Sequence, residues 1–152
     1  MLHTIARKTS FGYRFAMIHR LNVSLAREGL KEIGLTQAQM PFLMELLLDP
    51  APKTQKDLAQ ALVIDPAATA RNLEQLEKNG WIHRKVNPKN RRQKLVFPSQ
   101  KAREHEDKLI FVLKEASQSL VSDFSEKEKR TVLTFLDRIM ANGLEAKGGI
   151  KE

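Results

Sequence analysis

The sequence of 152 residues has no cysteine, one tryptophan and one tyrosine. Without cysteine, the chain has no disulfide framework, thiolate zinc site, nucleophilic thiol or thiol-based redox sensor. Its apolar runs fall short of the ~20 residues that cross a bilayer, and no hydrophobic secretory segment stands at its start. We therefore expect a soluble, cytoplasmic protein that has no membrane partner and folds as about one domain.

Features that support catalysis are also missing from the sequence. Its four histidines, His3, His19, His83 and His105, lack metal-ligand spacing, and we interpret each as a surface residue. The sequence contains no nucleophile motif, no phosphate-binding glycine loop and no paired acid and base. We therefore expect no enzyme activity, no metal site and no cofactor.

The first 27 residues contain five Lys or Arg side chains and no Asp or Glu. Amphipathic transit peptides share this composition, so a targeting segment is one alternative. The segment continues without a break into the first helical pattern, and we therefore assign it to the fold.

Positive charge is concentrated in one short stretch, HRKVNPKNRRQK at residues 83–94, which holds six Lys or Arg and no Asp or Glu. Without this stretch, the 26 basic and 18 acidic residues of the chain would become 20 and 18, and the net charge would fall from +8 to +2. The like charges of such a loop repel each other, which favours a partner of opposite charge such as phosphate. A basic loop that is merely solvated is the alternative.

Apolar residues at steps of three and four predict a first α-helix over about residues 8–31. A second helix is predicted to start at Thr36, where the sequence TQAQ has the pattern of a capping box. Pro41 follows the first turn of that helix and predicts a distorted start. The sequence DPAPK at residues 49–53 is expected to end the helix.

The last third of the chain predicts two more helices. Ser99 is expected to cap a long helix that reaches about Asp123. The sequence SEKE at residues 125–128 is a second capping-box pattern and opens the final helix. The tail GGIKE, residues 148–152, is expected to fray.

Residues 54–81, TQKDLAQALVIDPAATARNLEQLEKNGW, predict two helices joined by a turn of about three residues. Thr54 caps the first helix, Asp65 and Pro66 cap and open the second, and Gly80 ends it. The predicted buried face of the second helix holds Thr69, Leu73 and Leu76, and its predicted solvent face holds Ala67, Ala68, Arg71, Asn72 and Gln75.

The next segments, WIHRKV and QKLVF, flank the turn sequence NPKNRR at residues 87–92 and predict a β-hairpin. A helix-turn-helix followed by a basic hairpin is a winged-helix arrangement. In this arrangement the second helix enters the major groove, and the hairpin contacts the backbone or the minor groove. The predicted fold is therefore mainly α, an α+β winged helix, and the predicted partner is double-stranded DNA.

Side-chain chemistry suggests a role for each exposed residue. Arg71 can bond a guanine edge, and Asn72 or Gln75 can read an adenine. A salt bridge along its own helix, to Glu74, is the alternative for Arg71. The predicted DNA-binding residues are Gln55, Lys56, Ala67, Ala68, Arg71, Asn72, Gln75, Arg84, Lys89, Asn90, Arg91, Arg92 and Lys94, with Gln55, Lys56, Lys89 and Lys94 assigned to phosphate.

These residues resemble the MarR family of bacterial winged-helix regulators. The resemblance spans nearly the whole chain through LTQAQMPFL, DLAQALVIDPAATARNLEQLEKNGWI and NPKNRRQKLVFPSQKARE. By position, Arg71 matches a recognition-helix arginine, Arg91 and Arg92 match the wing arginines, and Ser99 matches the usual threonine cap.

The chain also departs from the family pattern. Asn87 and Asn90 stand where Asp is common, Pro98 where Leu is usual, and Ala102 where Gly is usual. Losing both carboxylates makes the wing more basic. It also removes the partners expected to orient the wing arginines.

The resemblance implies a two-fold homodimer with an inducer cleft. Wide apolar stripes at both ends of the chain support pairing independently, because a small winged helix cannot cover them. We expect a single domain, 1–152, with dimerisation helices at 8–31 and 99–143 around a DNA-binding region at 36–98. The expected interface residues are Phe11, Phe15, Ile18, Val132, Leu136 and Ile139, and the expected pocket residues are Tyr13, Arg14, Met17, Met40 and Met44.

Core packing is the alternative for the methionines of that pocket. The predicted function is sequence-specific regulation of transcription by a homodimeric repressor. It binds an inverted-repeat operator and is released by a small-molecule effector, for which the family implies an aromatic acid or phenol. The alternatives are a winged-helix scaffold for protein interactions and a DNA-binding protein without an effector.

Overall fold

A computed structural model describes residues 7–149 of the chain. His3 and residues 150–152 of the predicted frayed tail lie outside the described residues. The predicted fold class, mainly α with a small antiparallel sheet, is confirmed. The chain divides into two compact units, Met1–Ala116 and Ser117–Glu152, and the winged region lies in the first.

The elements follow one another as helices with a small three-stranded sheet near the middle of the chain. The strands are antiparallel in the order β1-β3-β2, with Lys53 opposite Val96 and Ile82 opposite Pro98. The elements are α1 (Phe11–Ile33), α2 (Met40–Leu48), β1 (Lys53–Thr54), α3 (Gln55–Leu62), α4 (Pro66–Lys78), β2 (Ile82–Asn87), β3 (Asn90–Pro98), α5 (Gln100–Glu104), α6 (Glu106–Ser119) and α7 (Glu126–Gly149).

Helix α1 starts later and ends later than the sequence predicted. Its start is fixed by the Ser10 hydroxyl, which accepts the backbone N–H of Tyr13 at 3.1 Å. Its end is fixed by Gly34, whose φ of 85° is a left-handed conformation that glycine adopts without a Cβ clash.

Helix α2 starts at Met40, so the predicted start at Thr36 is wrong. The Gln39 side chain does reach back to accept the N–H of Thr36 at 3.0 Å, but residues 36–39 form a turn in place of a first helical turn. Pro41 thereby falls in the first turn of the helix, where its missing N–H removes no intrahelical bond. The helix ends at Leu48, as the DPAPK sequence predicted.

The predicted long helix from Ser99 to Asp123 is broken at His105 and ends at Ser119. Its cap is confirmed, since the Ser99 hydroxyl accepts the N–H of Ala102 at 3.2 Å. At the break, the His105 ring packs edge-on against Trp81, with 5.3 Å between ring centroids, and the backbone leaves helical geometry. The break therefore coincides with this aromatic contact and with a local contact of the same ring, since His105 Nδ1 lies 2.8 Å from the Lys101 carbonyl oxygen.

The final helix begins as predicted. Glu128 accepts the N–H of Ser125 at 2.8 Å, and the Ser125 hydroxyl accepts the N–H of Glu128 at 3.3 Å, which is a complete capping box. The helix continues through Gly148 to Gly149, so the predicted fraying of these two residues is wrong.

The core lies in the first unit and is shared between the winged region and helices α1, α2 and α6. Its largest fully buried side chains are Trp81 and Phe42. The core residues are Ala26, Leu30, Leu35, Met40, Phe42, Leu43, Leu46, Leu58, Leu73, Leu76, Trp81, Ile82, Val96, Ala102, Leu109 and Ala116.

Helices α1 and α6 approach closely at Gly29. A Cβ atom added at Gly29 would lie 2.8 Å from Cγ1 and 2.9 Å from Cγ2 of Val112. Because valine is β-branched and stiff at χ1, it cannot turn away at low cost. The close approach therefore requires a residue without a side chain at position 29.

We predict that Gly29→Ala lowers the free energy of unfolding by about 1 to 3 kcal/mol, because overpacking outweighs the gain in helix propensity. Replacing Val112 by Ala in that background should recover part of the loss. The control is Gly143→Ala in α7, where an added Cβ meets nothing within 4 Å; it should stabilise by up to about 1 kcal/mol. Urea unfolding followed by circular dichroism measures both, and equal stability of the two variants would contradict the account.

Candidate nucleic-acid interface

Two local caps position the helix-turn-helix. The Asp57 carboxylate accepts the N–H of Thr54 at 2.8 Å and the Thr54 hydroxyl at 2.7 Å, and these two bonds hold the pKa of Asp57 below its usual value. The Thr54 hydroxyl in turn accepts the N–H of Asp57 at 3.2 Å. At the start of α4, the Asp65 carboxylate accepts from Ala67 and Ala68 at 2.8 and 3.1 Å. Both predicted caps are confirmed. The role of Asp57 was missed, although Thr followed three residues later by Asp was visible in the sequence.

The turn between α3 and α4 is tight. Val63 ends α3 with a φ of 56°, in the left-handed region that β-branched residues rarely adopt. Residues 63–65 connect the two helices, as the sequence predicted. The recognition helix α4 is therefore held at a fixed angle directly behind α3.

Helix α4 has one buried face and one solvent face, as predicted. Thr69, Leu73 and Leu76 are fully buried. On the opposite face, Ala67, Arg71 and Gln75 are exposed, and Ala68 and Asn72 are half-buried. In the described part of the chain, no ion pair within 4 Å joins Arg71 to Glu74, which was the alternative use of this arginine.

The Asn72 side chain already has a local partner, because its Nδ2 donates to the carbonyl of Ala68 at 2.9 Å. Its amide oxygen can still accept a hydrogen bond from another group. The two residues predicted to contact phosphate from α3 open that helix, with Lys56 exposed and Gln55 half-buried.

The wing is a two-stranded hairpin whose tip carries extra residues on β3. Val86 pairs with Lys94, but the next residue, Asn87, pairs with Asn90. Strand β3 therefore has three residues, 91–93, with no counterpart on β2, and they include Arg91 and Arg92. The irregular register gathers the two predicted tip arginines in one bulge.

The tip is organised by the two asparagines. Asn87 Oδ1 accepts the N–H of Lys89 at 3.0 Å, and Asn90 Oδ1 accepts the N–H of Arg92 at 3.1 Å. Each is the bond an aspartate makes in such a turn, provided here by a neutral amide. The turn geometry is therefore kept without the negative charges, and Lys89, Arg92 and their basic neighbours are exposed.

Arg84 is engaged with the recognition helix. Its Nε donates to Glu77 Oε2 at 2.9 Å, and its Nη2 donates to the same oxygen. The hydrogen bond from Arg84 lowers the pKa of Glu77, and the same bond raises the pKa of Arg84. The sequence predicted a DNA contact for Arg84 and missed this pair, because its two residues lie on different elements, a helix and a strand.

The predicted pocket residues do not share one environment. Met40 belongs to the core, and Met44 packs against it, which is the alternative foreseen for the methionines. Met17 is half-buried, with its sulfur 3.1 Å from Nη2 of Arg20.

Tyr13 and Arg14 lie in the exposed first turns of α1. The Arg14 guanidinium donates to the carbonyls of Arg7, Lys8 and Ser10, so it secures the chain that enters the helix. The guanidinium carbon of Arg7 lies 5.8 Å from the centre of the Tyr13 ring.

Large apolar side chains are exposed on both terminal helices. On α1 they include Phe11, which is 72% exposed, and on α7 they include Leu133, which is 60% exposed. No residue of α7 from 126 to 148 is buried. Of the predicted interface residues, Phe11, Phe15, Ile18, Leu136 and Ile139 are exposed and Val132 is half-buried.

Two kinds of feature are absent from residues 7–149. Within that range, no helix is long and apolar enough to cross a membrane. Within the same range, no group of three or more His, Asp or Glu side chains is arranged to hold a metal ion.

A helix-turn-helix that presents a polar helix face beside a basic two-stranded wing defines a winged helix-turn-helix protein. The MarR family model matches residues 35–94. The HTH-type transcriptional regulator YybA of Bacillus subtilis (strain 168) is 27% identical over 126 residues, which are 83% of each chain. These matches confirm the predicted resemblance to the MarR family of winged-helix regulators, and the family model covers the helix-turn-helix and most of the wing.

Solved structures agree with this assignment. A MarR transcriptional regulator from Methanosarcina mazei Go1 is 27% identical with a TM-score of 0.85, covering 89% of this chain and 96% of that one. A mutant MarR from E. coli, complexed with operator DNA, is 23% identical with a TM-score of 0.78. That match covers 88% of this chain and 96% of the other, and it shows the fold alone.

We predict that Asn87→Asp with Asn90→Asp keeps the hairpin fold but weakens binding of duplex DNA roughly tenfold or more at moderate salt, because each Asp accepts the same N–H bond and adds a negative charge. Asn87→Ala with Asn90→Ala is the control that removes the acceptors without adding charge. Fluorescence anisotropy of a labelled duplex measures affinity. Unchanged binding by the aspartate variant would show that the wing tip does not approach phosphate.

Proposed function

We propose that the protein is a homodimeric transcriptional repressor that binds an inverted-repeat operator in double-stranded DNA and is released by a small-molecule effector. The observation that carries the proposal is the exposed polar face of α4 beside a wing tip whose charged side chains are all basic. Both lie in one compact unit and are joined by only residues 79–81.

The dimensions of α4 suit the major groove. Thirteen residues give a helix roughly 20 Å long, and the groove admits one helix across its width. Ala67 and Ala68 at its first turn allow close approach to base edges. Arg71 follows on the exposed side, where its guanidinium can bond a guanine.

The wing supplies the charge. Lys89, Arg91, Arg92 and Lys94 are exposed and no acidic residue interrupts them. Mutual repulsion makes this loop costly alone, and the cost is relieved when phosphates replace the counterions around it. The wing would therefore lie on the DNA backbone or in the minor groove beside the site read by α4.

Pairing of two chains is proposed from the exposed apolar residues of α1 and α7. Such stripes favour a partner, and a second copy presents the same surface in a two-fold arrangement. Two recognition helices about one DNA turn apart would then read an inverted repeat. The solved MarR complex with operator DNA has the same fold, which is consistent with this docking.

Release by an effector is proposed from the resemblance to the MarR family. An effector would bind more tightly to a dimer whose recognition helices are wrongly spaced for DNA. It would lower DNA affinity by the difference between its affinities for the two dimer conformations. Aromatic acids and phenols are the class to screen first. Activation of transcription is equally compatible with the interface, and reporter assays separate it from repression.

We predict that the logarithm of operator affinity falls with the logarithm of salt concentration at a slope of about −0.9 per phosphate contacted.

Arg71→Ala should make the free energy of binding less favourable by roughly 1 to 3 kcal/mol on the operator and by little on random duplex. Lys89→Ala should weaken all sequences alike and make the slope shallower. A flat salt response of the wild-type chain would favour a protein-interaction scaffold, and equal losses on both duplexes would remove Arg71 from base reading.

We also predict that Leu136→Glu separates the dimer, because it places a charge in the apolar stripe of α7. Sedimentation equilibrium should give a dimer for the wild-type chain and a monomer for the variant. The control is Leu48→Glu at the end of α2, because Leu48 is more exposed than Leu136 and lies outside the proposed interface. A wild-type monomer, or a dimer unaffected by Leu136→Glu, would contradict the proposed interface.

A further inference from the structure

The Glu77–Arg84 pair joins the recognition helix to the wing. Glu77 lies in the last turn of α4, and Arg84 lies in the middle of β2. Both guanidinium bonds converge on one carboxylate oxygen, Oε2. Charge-assisted bonds of this kind are shorter and stronger than neutral ones, and the planar guanidinium fixes their direction.

The pair lies where the wing leaves the core. Val96, opposite Arg84 on β3, is 1% exposed and belongs to the core. Val86, two residues further along β2, is 54% exposed. At Arg84 and towards the start of β2, the hairpin is held by packing against the core. From Val86 towards the tip, most hairpin side chains are exposed to solvent. The Glu77–Arg84 bond therefore lies at the boundary between the packed base of the hairpin and its exposed tip.

The Glu77–Arg84 pair carries no net charge that would attract DNA. The Arg84 side chain is 21% exposed, and its positive charge is matched by a carboxylate in direct contact. Lys94, which pairs with Val86 in the hairpin, adds positive charge near Glu77 from the wing side. Glu74, one turn earlier on α4, adds negative charge near Arg84.

We propose that Glu77 and Arg84 are positioning residues, which fix the wing relative to α4 so that base reading by the helix and backbone contact by the tip occur in the same docking. The inference rests on the proposed DNA binding. It assigns Arg84 a role that differs from the direct contact predicted from sequence. Neither side chain needs to touch DNA for this role.

Positioning and direct contact predict opposite results for Glu77→Ala. If Arg84 were a DNA contact, removing Glu77 would free a cation, so affinity would rise and the salt slope would steepen. If the pair positions the wing, the variant loses wing contacts, so operator affinity falls and the slope becomes shallower. A role in stability alone would change the melting temperature and leave the slope as it is.

We expect Glu77→Ala to weaken operator binding by about 3- to 30-fold, the range of typical couplings between elements of a fold. The salt slope should become shallower at the same time. Glu74→Ala is the matched control, because it removes the same charge from an exposed position one turn away on the same helix. Affinity for Glu74→Ala should stay equal to wild type or rise.

The charge swap Glu77→Arg with Arg84→Glu tests the pair as a unit. It should restore operator affinity and salt slope towards wild type, because the bond re-forms with reversed polarity. Direct contact by Arg84 predicts further loss, since position 84 would then be negative. The fluorescence of Trp81, the single tryptophan, which lies buried at the base of the wing, confirms that each variant is folded.

The outcomes separate this inference from the proposed function. If the wild-type chain fails to bind duplex DNA, the proposed function fails. If the wild type binds and Glu77→Ala binds equally or more tightly, the function stands and positioning by this pair is wrong. A swap that binds more weakly than Glu77→Ala would overturn it as well.

Discussion

Burial of one face of α4 is the interaction on which the rest of the structure depends. Leu73 and Leu76 are fully buried in the same core as Leu58 of α3 and Trp81 beyond the helix end. Removing such leucine side chains from a core costs about 2 to 5 kcal/mol each, so the orientation of the helix is strongly fixed. Because one face is held in this way, the opposite face is presented to solvent as an ordered row of side chains. A recognition surface of this kind loses little conformational entropy when it binds.

Charge and rigidity are combined in the wing. Its base is held by Val96 in the core and by the Glu77–Arg84 bond, and its tip is folded by the amides of Asn87 and Asn90. The tip therefore keeps a defined turn with every ionised side chain positive. In our proposal, affinity comes mainly from this electrostatic element, whereas sequence preference comes from α4. The split explains why a net charge of +8 is so unevenly distributed along the chain.

Most local patterns in the sequence were reliable where the partners lie within one helical turn, and the exception is the capping-box pattern at Thr36, where residues 36–39 form a turn before the helix. The caps at Thr54, Asp65 and Ser125 and the two faces of α4 were all predicted, because each depends on residues three or four apart. Two other failures involve residues that are distant in the sequence. The break at His105 accompanies a ring contact with Trp81, 24 positions earlier, and the bond from Arg84 crosses from a strand to a helix. Neither contact can be predicted from the helical or strand spacing of residues in the sequence.

The central claim is that a groove-sized helix and a cationic wing, present twice, read one symmetric DNA site. Selection of bound duplexes from a random pool by the purified full chain tests it most directly. The account predicts enrichment of an inverted repeat whose half-sites lie about one helical turn, roughly 10 base pairs, apart. Enrichment of no motif, or of a single asymmetric half-site, would contradict it.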